Sequence, residues 1–191
     1  MGGVGRRAVA ILEARASANL SQHAVSAPEP ITRRASPNDA QSIASLYAQL
    51  VSNPALAVLP ERIAALAGDS QTALLVCERQ GRIVGTALVS LCADVMFGHQ
   101  PFAVVENVVV DAGVRSRGIG TALFCHVEAF CLASDCSKIM LLSAVGREDA
   151  HRFFERAGFA GSKKRGFVKY RREFNRAPPT HPGLPSKAID A

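Results

Sequence analysis

Residues 102–123 read FAVVENVVVDAGVRSRGIGTAL, an apolar run that leads through two arginines and two glycines into a helical pattern. The run at 102–110 is β-branched and apolar on both faces, which predicts a central strand. Residues 115–121, here named the glycine loop, start the predicted helix. Backbone N–H groups in a first helical turn lack intrahelical acceptors and favour anions, and glycine allows an anion to approach closely. The stretch therefore predicts a phosphate-binding loop, with a plain left-handed turn as the alternative.

Two common nucleotide-binding patterns do not fit the glycine loop. The P-loop pattern GxxxxGK(S/T) does not occur in the sequence. The dinucleotide-binding pattern requires glycine or alanine three positions after Gly120, where this chain has Leu123. Neither pattern therefore identifies the ligand.

The segment before residue 102 contains both helical and strand-like patterns. Ser36 is suited to be an N-cap, with Pro at the first helical position and Asp39 three residues after the cap. Gln80–Gly81 joins two strand-like runs and predicts a hairpin turn. The predicted elements are a strand at 31–34, a helix from Ser36 to Val51, a helix at 59–67 and a hairpin at 72–92.

The segment after the glycine loop alternates helix and strand. The first helix carries an apolar stripe on which His126 is predicted to be a core histidine. Gly158 is a predicted helix stop. The predicted elements are a helix ending near Asp135, a strand at 138–143, a helix at 148–159 and a strand at 166–174.

These elements predict an α/β fold of the mixed α+β type. Antiparallel strands come first, and a strand–helix–strand crossover then requires a parallel pair. We expect one central mixed sheet with helices on both faces. The domain is expected at 30–175, with a disordered extension or targeting presequence at 1–29 and a disordered proline-rich tail at 176–191.

The composition is that of a globular protein. The chain has 191 residues, of which 48% are hydrophobic and 20% charged. No run of about 18 apolar residues occurs, so a membrane-spanning helix is not expected. The five cysteines form no CxxC pair, which argues against a disulfide framework and against a metal site. We expect a cytoplasmic protein.

The positive charge is concentrated near the C-terminal end. The net charge is +6, and residues 161–176 hold seven basic side chains and one acidic side chain. Such a run is typical of a solvated surface, and it also attracts polyanionic ligands. Nucleic acid is the least expected partner.

Two motifs resemble one known family, the GCN5-related N-acetyltransferases (GNAT). Arg115–Gly120 reads RSRGIG and matches the family's acetyl-CoA motif, (Q/R)xxGx(G/A), at each fixed position. Ala150–Phe159 reads AHRFFERAGF and is similar to the family's later helical signature, AxxFYxxxGF. The resemblance covers roughly residues 31–174. It implies a GNAT-like fold and acetyl-CoA as co-substrate.

The resemblance also implies roles for individual residues. Backbone amides from Ser116 to Thr121 would hold the pyrophosphate. The strand at 108–110 would pair with the pantetheine arm, because in the family this strand carries a bulge and diverges from the strand that corresponds to 138–143. The amide near Val108 would polarise the thioester carbonyl. The residues expected to bind the cofactor are Val108, Val109, Val110, Arg115, Ser116, Arg117, Gly118, Ile119, Gly120, Thr121, Arg147 and Phe153.

Glu106 is the candidate general base, with a substrate anchor as another functional role. It is a carboxylate within a strand of valines, so we expect it to be partnered, in contact with water, or raised in pKa. Related transferases use a glutamate in a similar context to deprotonate an ammonium group. The alternative is a structural ion pair with an arginine. Asn107 is expected to form a sheet-to-helix hydrogen bond.

Two positions depart from the family pattern. Phe154 stands where many members have a tyrosine that protonates the thiolate, and Arg147 stands where an asparagine is common. Solvent or another residue, such as His151, would then supply the proton. The predicted function is direct acetyl transfer from acetyl-CoA to a primary amine of a small molecule, in a possible homodimer. The alternative is a non-catalytic acyl-CoA-binding module.

Overall fold

The computed structural model describes residues 29–175. These residues divide after Ser143 into two compact units, which are described separately. Apart from Glu29, the predicted extension at 1–29 and the predicted tail at 176–191 lie outside the described residues. No helix within residues 29–175 is long and apolar enough to cross a membrane.

The first unit follows the predicted order of elements, with ends that differ by a few residues. Its helices and strands are β1 (Ile31–Arg34), α1 (Ala40–Leu50), α2 (Pro60–Ala67), β2 (Thr72–Arg79), β3 (Arg82–Cys92), β4 (Phe102–Val110), α3 (Ile119–Ala133) and β5 (Ile139–Leu141).

The chain enters α1 through a short 3-10 turn held by a buried carboxylate. Asp39, only 6% exposed, accepts hydrogen bonds from the Ser36 backbone N–H at 2.7 Å and the Ser36 hydroxyl at 3.0 Å. It also forms a two-pronged ion pair with Arg33 of β1, at 2.7 and 2.9 Å. The Arg33 hydrogen bonds hold the pKa of Asp39 at about 2. The predicted cap therefore also ties the helix start to the sheet.

Gln80 and Gly81 form the predicted hairpin turn between β2 and β3. Both have positive φ, +52° and +73°, as a type I′ turn requires. The prediction of a hairpin at this position is confirmed.

The sheet in the described part of the chain has five strands in the order β1-β2-β3-β4-β5. The first three pairings are antiparallel, and β4 pairs with β5 in parallel. A mixed sheet is the fold class that the sequence predicted.

Helices cover both faces of this sheet. On one face, Ile43 of α1 and Ile63 of α2 are buried in a cluster with Leu74 and Val76 of β2. On the other face, Gly85 of β3 lies directly beneath α3. A Cβ added at Gly85 would come within 2.8 Å of Ile119 Cγ2 and 3.1 Å of Leu123 Cδ1.

The prediction that His126 is a core histidine is wrong. Its side chain is exposed, with Nδ1 3.1 Å from the Ala122 carbonyl oxygen. The buried face of α3 is rotated around the helix relative to the predicted apolar stripe, because it contains Phe124 and not His126. The buried side chains of α3 are Ile119, Leu123, Phe124, Val127 and Cys131.

In the second unit, residues 144–175 contain one α-helix, of the predicted type, α4 (Glu148–Arg156). Gly158 ends it with φ of +88°, as predicted. The predicted strand at 166–174 is wrong, because that segment has no strand pairing and ends in a 3-10 turn at Arg171–Glu173. Glu173 accepts from the Tyr170 N–H at 3.1 Å, and its own N–H donates to the Tyr170 carbonyl at 2.8 Å. These local bonds use backbone groups that a strand ladder would need.

Candidate active site

The chain leaves β4 through a turn that α1 supports. Asp111 Oδ1 accepts from the Gly113 N–H at 2.8 Å, which closes the turn. Gln49 of α1 accepts from the Ala112 N–H at 3.0 Å, and its amide nitrogen lies 3.4 Å from Asp111 Oδ2. Gln49 thus holds the segment that precedes the glycine loop. Sequence reasoning did not find this residue, because an exposed glutamine at a helix end carries no pattern.

The glycine loop contains two left-handed residues, Ser116 with φ of +62° and Gly118 with φ of +78°. The first helical bond runs from the Ala122 N–H to the Gly118 carbonyl at 2.9 Å. Within residues 29–175, the backbone N–H groups of Ser116 to Thr121 donate to no protein acceptor. Six consecutive donors at a helix N-terminus are suited to bind an anion.

The two arginines of the glycine loop differ in their contacts. Arg115 donates through Nε to the Val110 carbonyl oxygen at 3.3 Å, which folds its side chain back onto the end of β4. Arg117 is exposed, and within the described residues it has no hydrogen bond or ion pair. Arg117 is therefore the free cation of the loop.

A bulge interrupts β4 just before the glycine loop. Glu106 is opposite Leu88 and Val109 is opposite Thr86, so Asn107 and Val108 face the single residue Ala87. Asn107 has the left-handed φ of +54° that this insertion requires. The bulge implied by the family resemblance is present.

Helix α1 also contacts the bulge. The side chains of Asn107 and Thr86 lie beside the Tyr47 hydroxyl and lower its pKa, while burial, the larger effect, raises it. The structure thus places Asn107 beside helix α1, and its sheet-to-helix hydrogen bond stays a prediction. Through Tyr47 and Gln49, helix α1 contacts both the bulge and the segment that precedes the glycine loop.

The parallel pairing of β4 with β5 is short. It joins residues 103–105 to 139–141 and ends with Val105 opposite Leu141. Residues 106–110 of β4 therefore continue with no ladder on that edge in the described chain. This edge, which includes Val108, Val109 and Val110, is open to a ligand that can pair like a strand.

Glu106 is exposed at the start of the open edge. Within residues 29–175 it has no ion pair, so the structural ion pair with an arginine is not observed. Its exposure leaves the carboxylate open to solvent.

The second motif lies in the second unit. Arg147 is the exposed residue before α4, and Phe153 is half-buried within it. Phe154 is 9% exposed, and its ring lies edge-on to those of Phe153 and Phe159, at centroid distances of 5.5 and 6.1 Å. His151 Nε2 lies 3.0 Å from the Ala144 carbonyl oxygen. Within its own unit His151 is thus a partly buried helix residue.

Among the described residues, no group of three or more histidine, cysteine or acidic side chains is placed to hold a metal ion.

The structure brings together Glu106, the open edge 108–110 and the glycine loop within the first unit.

Comparisons with known proteins agree with this geometry. The model of the acetyltransferase (GNAT) family matches residues 41–159. Over 84 residues the chain is 31% identical to a glucosamine 6-phosphate N-acetyltransferase of Trypanosoma brucei brucei. That alignment covers 44% of this chain and 55% of the relative, so the chain spans about half the length of this curated protein.

Solved structures of similar fold were also found. One is a putative acetyltransferase from Agrobacterium tumefaciens, with a TM-score of 0.66 and 27% identity, covering 73% of this chain and 99% of that one. Another is a glucosamine-6-phosphate N-acetyltransferase from Arabidopsis thaliana, with a TM-score of 0.66 and 20% identity, covering 75% and 99%. The latter identity supports likeness of fold alone.

Proposed function

The chain belongs to the acetyltransferase (GNAT) family, and on that premise we propose that it transfers the acetyl group of acetyl-CoA directly to a primary amine of a small molecule. The observation that carries this proposal is the run of six unpaired N–H groups from Ser116 to Thr121, next to the open edge of β4.

The glycine loop fits a diphosphate. The donors lie at a helix N-terminus, where the dipole favours negative charge, and Arg117 adds a free cation. Around Gly118 an added Cβ would meet nothing within 4 Å, so the loop leaves room for an approaching phosphate. We assign Ser116 to Thr121 to the pyrophosphate of CoA, and Arg115, held against β4, to the shape of the loop.

The open edge of β4 fits the pantetheine arm, which contains two amide groups. Residues 108–110 offer backbone groups that no protein strand pairs within the described residues. The amide near Val108, at the bulge, would polarise the thioester carbonyl and stabilise the developing negative charge on its oxygen. We assign Arg147 and Phe153 of α4 to additional CoA contacts on the family resemblance alone.

Glu106 would act as the general base. An amine is mostly an ammonium ion at neutral pH, and the carboxylate, being exposed, can accept its proton directly or through water. The neutral amine then attacks the thioester carbon, the C–S bond breaks and CoA leaves as the thiolate, while the nitrogen releases its second proton to solvent. Phe154 has no hydroxyl group, so solvent would protonate the thiolate.

The acceptor amine is proposed to carry a phosphate or a carboxylate. Two observations support this: the net charge of +6, and the matched trypanosomal relative, whose name gives glucosamine 6-phosphate as substrate. Thiol release should be measured with amino-sugar phosphates, amino acids and spermidine. A clear preference for spermidine would overturn the proposed acceptor class, and release with none of the amines would favour the alternative, an acyl-CoA-binding module.

Glu106→Gln tests the base. We expect kcat/KM to fall by about 10²–10⁴ with CoA affinity unchanged, because the amide cannot accept the proton. Glu128→Gln, an exposed glutamate of α3, is the matched control and should retain activity. Steady-state thiol release and calorimetric CoA binding measure the two quantities. Unchanged turnover in Glu106→Gln would exclude this residue as the base.

A further inference from the structure

Two cysteines meet where α3 ends. After Ala133 the chain turns through Asp135, whose φ is +54°. The Asp135 N–H donates to the Leu132 carbonyl at 3.1 Å, and the Cys136 N–H donates to the Cys131 carbonyl at 2.9 Å. This pair of bonds is a Schellman motif, which places the third residue from the helix end against the second residue after its cap. Those positions are Cys131 and Cys136, here named the thiol pair.

The end of α4 shows what this motif does to its side chains. There Gly158 has φ of +88°, and the Phe159 N–H donates to the Phe154 carbonyl at 3.0 Å. The two phenylalanine rings at the equivalent positions are in contact. At the end of α3 the same geometry places the Cys131 and Cys136 side chains next to each other, and each thiol shifts the pKa of the other.

The thiol pair lines a cavity of about 210 Å³. Cys131 is 3% exposed, whereas Cys136 is only partly buried. Cys136 is therefore the more accessible of the two thiols to a small reagent in the cavity. The other lining residues are Glu128, Leu132, Lys138 and Ile139.

We propose that Cys131 and Cys136 are a modification site that forms a reversible disulfide with a low-molecular-weight disulfide, such as glutathione disulfide, as the oxidant. Because the Schellman motif holds the two side chains next to each other, the bond can form without unfolding α3. The disulfide would join the end of α3 to the turn that leads into β5.

The reaction proceeds by two thiol–disulfide exchanges. The Cys136 thiolate attacks one sulfur of the oxidant, the oxidant's S–S bond breaks and the first glutathione leaves as a thiolate. The Cys131 sulfur then attacks the Cys136 sulfur of the mixed disulfide, and the second glutathione leaves. The protein loses two electrons and two thiol protons, and both glutathione molecules end as thiols.

The surroundings of the thiol pair make this reaction slow at neutral pH. Burial raises the pKa of both thiols, that of Cys131 to about 12, and the charges of Glu128 and Asp135 act in the same direction. Lys138 is the cation that lines the cavity. Because the thiolate is the nucleophile, we expect the rate to rise with pH.

The test uses the reduced full-length protein with excess glutathione disulfide, quenched with N-ethylmaleimide. We expect a product that has lost two hydrogen atoms and reacts with three equivalents of maleimide instead of five, reversed by dithiothreitol. Cleavage after Glu128 separates Cys125 from the thiol pair, and cleavage before Asp135 separates Cys131 from Cys136. Mass mapping of these fragments therefore identifies the bond directly in the wild-type protein.

Two variants give a matched comparison. Cys131→Ala should stop at a glutathione adduct on Cys136, whereas Cys125→Ser, at an exposed position of the same helix, should form the disulfide normally. Full alkylation of all five wild-type cysteines after oxidation would overturn the proposal. So would a disulfide mapped to another pair, or a glutathione adduct at Cys136 that persists in the wild type.

Discussion

Gly118 fixes the direction in which the chain passes from β4 into α3. Its φ of +78° lies in the left-handed region, where a side chain collides with its own backbone. Ser116, two residues earlier, has φ of +62° and already carries such strain. The glycine loop can therefore tolerate little further backbone strain. Because glycine adopts this φ without strain, Gly118 lets the loop N–H groups keep their orientation.

Gly118→Ala should weaken CoA binding and lower stability. We expect a loss of about 1 kcal/mol in the free energy of unfolding and a CoA affinity reduced about fivefold or more, since the strained loop orients its donors less well. Urea unfolding and calorimetry measure the two effects. Gly68→Ala is the control, because Gly68 has φ of −94° and open space around it. Unchanged CoA affinity in Gly118→Ala would contradict a phosphate site here.

Asp39 makes stability depend on pH at the acid end. Its pKa in the folded protein is about 2, below the ordinary 3.8, mainly because of the Arg33 hydrogen bonds. The ionised carboxylate contributes about 2 kcal/mol of stability. This contribution is complete above the unfolded pKa, near pH 4, and is lost as the pH falls towards 2.

Asp39→Asn tests this sign. The variant should be about 2 kcal/mol less stable than the wild type at pH 7, and the difference should shrink between pH 4 and 2. Urea midpoints across that range measure it. The matched control is Asp69→Asn, a half-buried residue that forms no ion pair among the described residues, which should leave the acid dependence unchanged. A difference that stays constant with pH would show that Asp39 acts through packing.

At the scale of elements, Gly85 sets how closely α3 approaches the sheet. An added Cβ would come within 2.8 Å of Ile119 and 3.1 Å of Leu123, both buried on the inner face of α3. The N-terminal end of this helix carries the glycine loop. The distance between β3 and α3 is thereby linked to the position of the loop.

Gly85→Ala should push the start of α3 away from the sheet. We expect a loss of about 1–3 kcal/mol of stability from overpacking, together with weaker CoA binding. Thermal unfolding and CoA titration test both parts. Gly146→Ala, where an added Cβ meets nothing within 4 Å, should change neither. Lower stability with full CoA affinity would mean that the loop moves independently of α3.

Sequence patterns predicted the elements whose causes are local. The Gln80–Gly81 turn and the Ser36–Asp39 cap each depend on neighbouring residues, and both are observed. The β4 bulge followed only from the family resemblance. The strand at 166–174 was predicted wrongly because alternation cannot show whether a partner strand exists. Gln49 was missed because its role depends on a turn more than 60 residues away.

At the scale of the whole molecule, the charge distribution favours anionic ligands. The net charge is +6, and the segment 161–176, which the structure describes up to Asn175, is exposed almost throughout. A positive field attracts phosphorylated substrates over distances of about 10 Å at 0.1 M salt.

Salt should therefore separate two kinds of acceptor. We expect kcat/KM for an amino-sugar phosphate to fall severalfold as salt rises from about 0.02 to 0.5 M, while that for the same amino sugar without the phosphate, which is a cation, should not fall. Donor saturation must be maintained at each salt concentration, because CoA is itself an anion. An equal decline for both acceptors would remove net charge as a factor in acceptor choice.

The two α1 contacts have a consequence for the size of donor that can be used. Tyr47 holds the bulge and Gln49 holds the approach to the glycine loop, and two residues of helix span only about 3 Å along the axis. The distance between the proposed thioester and diphosphate positions is thus fixed by contacts with one rigid helix instead of two independent loops. A donor whose arm is longer or shorter than pantetheine would not reach both positions. We therefore expect the protein to accept dephospho-CoA esters, which keep the full arm, and to reject thioesters with a truncated arm.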